Sequence, residues 1–563
     1  MMDEDRLKEI IDAGESLERE FKSDRRQISD REIYEEVVAL ANTSGGVLLI
    51  GVEDDGKVTG ASSRHGRTTD PLKLQSAIFN NTVPNINTRI SLVSTEEKIV
   101  LAIEVDQYPE PCATTEGKSL YRTIKSDGKP QSVPFYPRDQ RSRRVDLGLL
   151  DFSAQAMDDV SFNDLDQREF ERLRQTVARL RGDRSLLDLS DEEIAKALRL
   201  VETVNDQPIP NVAGLLLLGK EDKLRAILPT HEVCFQVFDD QENVRVNDVF
   251  RGPLLKVLED VEERFRARIE EDEIQVGFFR IPIPDYSLEG IREAVNNAVL
   301  HRNYTRLGAV YVQWHHDHIL IASPGGFPTG ITVDNILVHE PKPRNLLLAE
   351  ALKRIGLVEQ TGRGVDKIYM GQLRYGRPPP DYGRSDTEGV RVVLSGGKAS
   401  QQFAAFVYEE DRKGHRLDLD KLMILNTLFF DRRINSETAG KLIQKGPVAA
   451  RRTLESLCEI GLLVAKGETK GRVYHLSPEL YRKLGHPEGY IRTHGISSIR
   501  QEAMIMEYVQ AHGRIERKHV IELCGLTSPQ AGRLLKKMIQ KKKLKREGTP
   551  PRWTYYVIAK EKP

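Results

Sequence analysis

The chain of 563 residues carries 84 Lys and Arg against 85 Asp and Glu, a formal net charge of −1. That length exceeds one hydrophobic core and predicts about three to five domains. The near-cancellation of charge excludes a globally basic or acidic partner preference, so a nucleic-acid surface must come from local segregation. Cys112, Cys234, Cys458 and Cys524 are far apart and form no C-x-x-C pair, which argues against a cysteine zinc site and a disulfide framework. The N-terminus, Met-Met-Asp-Glu-Asp-Arg, is acidic without an apolar core, and the longest apolar runs, such as 212–218, stop far short of the roughly 20 residues of a membrane helix. A soluble cytoplasmic protein with no membrane partner is expected.

In chain order, a short amphipathic helix is predicted over 3–13, ended by Gly14, and a second over about 30–41. Val47 to Val52 is an almost uninterrupted apolar run that reads as a central strand covered on both faces, entered through the Gly45-Gly46 turn, with Asp54 just past its end. Upstream, Glu18, Glu20 and Lys22 alternate onto one face of a short strand, and Glu15 joins them only if the chain turns near Ser16. Two readings of these acids stand: a shared site, or a solvated edge followed by an ordinary Asp54-Asp55-Gly56 turn. Further strands are expected at 98–105 and 119–125, with Arg122 on the second either directed at a phosphate or, the preferred reading, solvated. Arg138, Arg141, Arg143 and Arg144 fit either a nucleic-acid track or a polar interdomain linker.

Glu15, then Glu20-Phe21-Lys22, Asn42-Thr43-x-Gly45-Gly46 and Gly51-Val52-x-Asp54 together resemble the signature of the Schlafen-type (AlbA-2) domain. The resemblance implies an α/β domain over 1–145. By analogy with the nuclease members, it implies Mg²⁺ or Mn²⁺ on Glu15, Glu20 and Asp54 and cleavage of RNA or DNA. Clustered carboxylates supply hard oxygen ligands, and the ion polarises a phosphoryl oxygen and activates water. Lys22 is placed to neutralise the developing phosphate charge. The Cys/His zinc cluster of eukaryotic members has no counterpart here.

From 150 to 285 the pattern is mixed: helices near 167–181, 190–202 (capped by Ser190) and 252–270, and apolar strands at 212–218 and 232–238. A longer helix over 288–303 puts Leu288, Ile291, Val295, Ala298 and Val299 on one face and Glu293, Asn297 and His301 on another stripe. An acid one turn from an amide can orient a water and hold Mg²⁺ bridged to phosphates. Residues 292–304, 321–328, Pro343-Arg344-Asn345 and 360–368 resemble the divergent GHKL (histidine-kinase-type) ATPase domain that usually follows Schlafen-like domains in bacterial proteins. The resemblance implies ATP binding, with Glu293 as water-activating base, Asn297 as Mg²⁺ ligand, and Gly325, Gly326, Gly362 and Gly364 as turns directing amides at the nucleotide. Ser323-Pro324 stands where the family has the Asp that holds the adenine amine. His315, His316 and His318 are expected to be exposed or packing histidines.

After a Pro/Gly-rich connector, helices at 417–430, 436–444 and 448–460 and a wing at 462–476 resemble a winged helix-turn-helix, with Arg451 and Arg452 on the helix that commonly enters the major groove. The order recurs from 497, with helices at 499–511, 516–523 and 528–542 and a wing around 553–558. Residues 497–563 hold 15 Lys or Arg against 6 Asp or Glu, a net +9. Such a concentration is an electrostatic footprint for phosphates, contacted by Arg533, Lys536, Lys537, Lys541, Lys542, Lys543, Lys545 and Arg546. The expected fold class is multidomain α+β: an AlbA-2-like head (1–145), an α/β support region (146–285), a GHKL-like α/β sandwich (286–398) and winged helices at 417–485 and 497–563. The expected function is a DNA-binding, nucleotide-responsive regulator or defence protein, a homo-oligomer, whose head acts on RNA or DNA as a metal-dependent nuclease. The alternative is a non-catalytic, ATP-binding transcriptional regulator using the head only for binding.

Overall fold

In the head, the apolar run becomes the strand Gly46–Ile50, paired in parallel with Arg19–Lys22 and antiparallel with Lys98–Val105, which in turn pairs with Thr88–Thr95. Alternate side chains leave the strand on opposite faces. Leu48 and Ile50 pack with Ile33, Val37 and Leu40 of the helix Asp30–Ala41, while Val47 and Leu49 pack with Leu7 and Phe21. The helix opens with a Ser29/Glu32 capping box, a device that contributes about 1 kcal/mol. Gly46 has φ +137°, and a Cβ there would collide with the Glu18 carbonyl oxygen, so only glycine lets the two parallel strands approach. Asn42 is buried and closes the helix end, donating to the carbonyls of Cys112 and Leu120 (both 2.8 Å) and accepting the Cys112 N–H at 2.7 Å. The signature Asn-Thr-x-Gly-Gly is thus a packing device for the turn between helix and strand.

This computed structural model describes residues 2–484 except 96–97, 126–127, 158, 277, 359–362, 397–399 and 468–471, and beyond them 502, 505–506, 508–509, 514–524, 528–541, 543–547 and 555–559. The central five-stranded sheet runs Val244–Phe250, Val233–Phe238, Val310–Trp314, His318–Pro324 and Gly389–Ser395. Its strands come from both sides of residue 285, so the boundary expected there runs through one sheet. The run 212–218 is a helix rather than the expected strand, with every residue buried and Asn211 capping the Gly214 N–H at 3.0 Å. A seven-residue apolar run lacks the alternation that separates a strand from two buried helical turns, and here the cap decides. The helix expected to reach 202 ends at Ala197, and Val201–Val204 is a strand.

The C-terminal helices Leu419–Asp431, Ser436–Leu442 and Pro447–Glu459 precede a hairpin of Leu463–Lys466 with Val473–Leu476. Further on, the helices Arg517–Cys524 and Ser528–Gln540 share a core with a sheet of Ile515–Glu516, Tyr555–Ile558 and Leu544–Glu547. No helix among the described residues is long and apolar enough to cross a membrane.

Candidate functional site

Glu15 is brought to the head strand by a tight turn in which the Ser16 N–H donates to Arg19 O at 2.9 Å. The turn that strand alternation alone did not require is therefore formed. Glu15 Oε1 accepts the Phe21 N–H at 3.1 Å. Burial lifts the Glu15 carboxyl above its ordinary value, and Glu20 and Asp54 push it the same way against the Phe21 hydrogen bond. Glu20 and Asp54 thus each lie close enough to Glu15 to repel it, with Asp54 exposed in the turn after the strand.

Glu20 is 8 % exposed and has both oxygens engaged: Lys22 Nζ lies 2.7 Å from Oε1 and the Arg122 guanidinium 2.6 Å from Oε2. Lys22 also lies 2.9 Å from Glu36, whose second oxygen accepts the Ser132 hydroxyl at 2.8 Å. Burial pulls the Lys22 ammonium down, but Glu36 and Glu20 together more than reverse this and hold it above the ordinary lysine value. Arg122 is 2 % exposed, contrary to the solvated expectation. Its N–H donates to Thr43 Oγ1 at 2.8 Å and its side chain to Ser16 O at 2.8 Å, so the strand Leu120–Ile124 turns it inward onto the Glu15 turn. Sequence reasoning missed Glu36. The signal was present, because Glu36 sits three residues after Ile33 and four before Leu40, an acid on the buried stripe of its helix.

Carboxylates are the right donors for a hard divalent cation. Among the described residues no group of three or more His, Cys, Asp or Glu already has metal-holding geometry. Glu20 would have to exchange Lys22 and Arg122 for the ion. The His315 ring stacks between Phe238 and His318, both at 4.4 Å, and thus packs as expected.

In the central region a cavity of about 180 Å³ lies between the helix Leu288–Leu300, the sheet and the loop over 327–343. Glu293 (5 % exposed) and Asn297 line it, with Ile321, Ile368, Val390 and Val392 as apolar wall. Gly364 opens the helix Gly364–Leu373 directly against Glu293, whose Oε1 a Cβ would strike. Gly325 and Gly326 do not offer their amides to a ligand: they donate to the carbonyls of Glu388 (2.8 Å) and Thr387 (3.2 Å), extending the sheet. Gly362 lies outside the described residues. Ser323, in place of the base-holding acid, donates its hydroxyl to Ala298 O at 2.6 Å and is committed to joining strand and helix. Burial, reinforced by Arg344, pushes His301 down to about 4, leaving a neutral imidazole at the cavity. Gln444 holds the covering loop from the C-terminal side, accepting the Leu337 N–H at 2.8 Å and donating to Val333 O at 2.7 Å.

Along Ser528–Gln540, Ala531, Leu535 and Met538 are buried while Arg533, Lys536 and Lys537 are exposed. Lys541 and Lys543 pair with the buried Glu502 at 2.7 and 2.9 Å, and Lys537 lies 3.9 Å from it, so part of the basic run neutralises an internal acid. Lys542 lies outside the described residues. Arg451 pairs with Glu455 at 2.9 Å, and Arg452 is exposed beside it.

The chain carries a Schlafen, AlbA_2 domain, matched by its family model over 15–130, and a RecG C-terminal HATPase-like domain, matched over 308–394 by the model described as "Putative ATP-dependent DNA helicase recG C-terminal". The second match begins after the helix bearing Glu293 and Asn297. A third model, for a domain of unknown function (DUF8451), matches 145–234. Among solved structures the chain is similar to the DIP2311 protein of Corynebacterium diphtheriae, at 23 % identity and a TM-score of 0.51 over 85 % of this chain and 97 % of that one, a likeness of fold. It also aligns with the N-terminal domain of a "Putative ATP-dependent DNA Helicase RecG-related Protein" from Nitrosomonas europaea, at 24 % identity over 18 % of this chain and 71 % of that one, with a TM-score of 0.15. A search of curated proteins found no match.

Proposed function

We propose that this is a nucleic-acid-binding, nucleotide-responsive protein whose head cleaves RNA or DNA with a divalent cation. The observation that supports the reading is that Glu20, on the strand Arg19–Lys22, and Asp54, after the parallel strand Gly46–Ile50, both raise the carboxyl of Glu15, which the Ser16 turn brings to them. A cation on these carboxylates supplies a polarised phosphodiester and an activated water. Lys22 and Arg122 stand beside Glu20 as cations that could face a phosphate if an ion took their place on the carboxylate. With no ion bound, the same two groups neutralise Glu20, which removes the cost of burying a bare carboxylate.

Glu293 and Asn297 fit the water-orienting and Mg²⁺-holding roles for ATP in the cavity, and its apolar wall suits a base. Gly325 and Gly326 fit no phosphate role. DNA is held by two winged helices, with Arg451 and Arg452 on one and the exposed face of Ser528–Gln540 on the other. Replacing Arg533, Lys536 and Lys537 together by Ala should weaken DNA binding uniformly across sequences. The salt slope of log K should fall by about 0.9 for each phosphate that the variant no longer neutralises. Titration across salt concentrations checks this.

The non-catalytic reading, in which the head only binds, has its own support: the double ion pair on Glu20 is a stable arrangement without metal. A cleavage assay on single-stranded RNA, tRNA and DNA with Mn²⁺ decides between them. The wild type should cut at least one substrate and Glu20→Ala and Asp54→Ala should not; equal inertness of all three leaves only the binding role.

A further inference from the structure

The helix Pro137–Asp146 lies between the two candidate sites and contacts the residues next to each. On one side the Arg143 guanidinium donates to the carbonyls of Thr43 (2.7 Å), Ala41 (3.1 Å) and Tyr108 (2.8 Å), at the end of the head helix Asp30–Ala41. On the other side Asp146 accepts from Asn303 at 2.9 Å and Arg306 at 3.1 Å and lies 3.2 Å from Arg344 Nε. Ser142 Oγ accepts from the same Asn303 (3.0 Å) and Arg306 (3.2 Å).

Both sets of contacts, made from the last turn of this helix, lead onward. Arg344 also donates to Gly326 O at 2.5 Å and to His301 O, two residues of the cavity wall. Thr43, whose carbonyl receives Arg143, accepts the Arg122 N–H at its hydroxyl, and Arg122 holds Glu20 at 2.6 Å. Burial pulls the Arg143 guanidinium down to about 10, which marks a desolvated cation whose carbonyl partners are costly to give up. Val145, between the two anchors, is packed into the central core. The last turn of this helix, held on two sides by such bonds, shifts as one piece or breaks an anchor. The arginine cluster read as a nucleic-acid track or a linker is, at Arg143, a joint.

We propose that the helix Pro137–Asp146 couples the central cavity to the head acids: a ligand that displaces Arg344 shifts the helix, and Thr43 and Arg122 pass the shift to Glu20. This rests on the cavity being a ligand site and Glu20 a functional acid. Linkage requires the effect to be mutual, and couplings of ordinary size change affinity on the order of 5- to 150-fold.

Contiguity alone is not coupling, so the test reads the effect at a distance. Hydrogen exchange of the full chain is compared between wild type and Asp146→Asn, a near-isosteric change that weakens the bonds to Asn303, Arg306 and Arg344 and removes a charge near Arg143. Exchange at 42–46 and 120–124 should accelerate about fivefold or more, the lower end of that coupling range, while Thr88–Thr95 stays unchanged. Acceleration confined to 137–146 and 301–306 overturns the proposal, as does equal acceleration in Thr88–Thr95, which would mean general loosening. In a second arm, Mg·ATP should alter exchange at 42–46 in wild type and not in Asp146→Asn; binding of ATP with no change at 42–46 overturns the coupling. A wild type that binds no ATP counts against the reading of the cavity alone, because the first arm needs no ligand and still decides.

Discussion

Replacing Arg122 by Met should destabilise the head by about 3–5 kcal/mol, the usual consequence of removing one partner of a buried ion pair. The substitution leaves Glu20 inside with only Lys22 as its counterion, and cuts the bond to Ser16 O that ties down the Glu15 turn. The second half of the argument is a double variant. Arg122→Met with Glu20→Leu removes both charges, and apolar replacement of a whole buried pair is often neutral or stabilising. The double variant should therefore recover much of the loss in a urea or guanidinium midpoint. If it is as unstable as the single variant, the loss comes from packing around Arg122 and not from a stranded carboxylate.

The second large effect is expected at Gly364. A methyl group there would strike Glu293 Oε1, so either the start of the helix Gly364–Leu373 retreats or the carboxylate leaves the cavity. Gly364→Ala should lower ATP affinity by more than tenfold, about 1.4 kcal/mol. The helix is intact beyond its first residue, so the thermal midpoint should move far less than for Arg122→Met. Calorimetry reads the first quantity and a thermal scan the second; unchanged ATP affinity would remove Glu293 from the ligand site.

Where periodicity was long and caps were explicit, the chain was legible. The helix Asp30–Ala41, the covered strand after Gly46 and the three helices between Leu419 and Glu459 fall where apolar spacing places them. The failures have physical causes. A short run of identical apolar character, 212–218, carries no period, so its helical state rests on Asn211. The role of a glycine depends on what faces its amide: Gly325 and Gly326 look like a ligand turn in sequence, yet their N–H groups complete a sheet with the distant residues 387 and 388. Arg122 illustrates a third limit. A strand residue points in or out according to what the neighbouring helix offers, and only the fold brings Thr43, Glu20 and Glu36 to it. Glu36 was recoverable from the helix pattern alone, as an acid on a buried stripe.

The head site also explains why motif matching stops short of chemistry. The acids that the signature marks are present and near one another, yet the most buried of them is satisfied by two cations from the same domain. Internal neutralisation of this kind needs no metal, and a metal on these acids would require both counterions to step aside.

Titration of Mn²⁺ into the full chain, followed by electron paramagnetic resonance or calorimetry, tests this most directly. The account predicts a single strong site in wild type that is lost in Glu15→Gln, in Glu20→Gln and in Asp54→Asn alike. Absence of Mn²⁺ binding in wild type, or binding indifferent to all three substitutions, would contradict it.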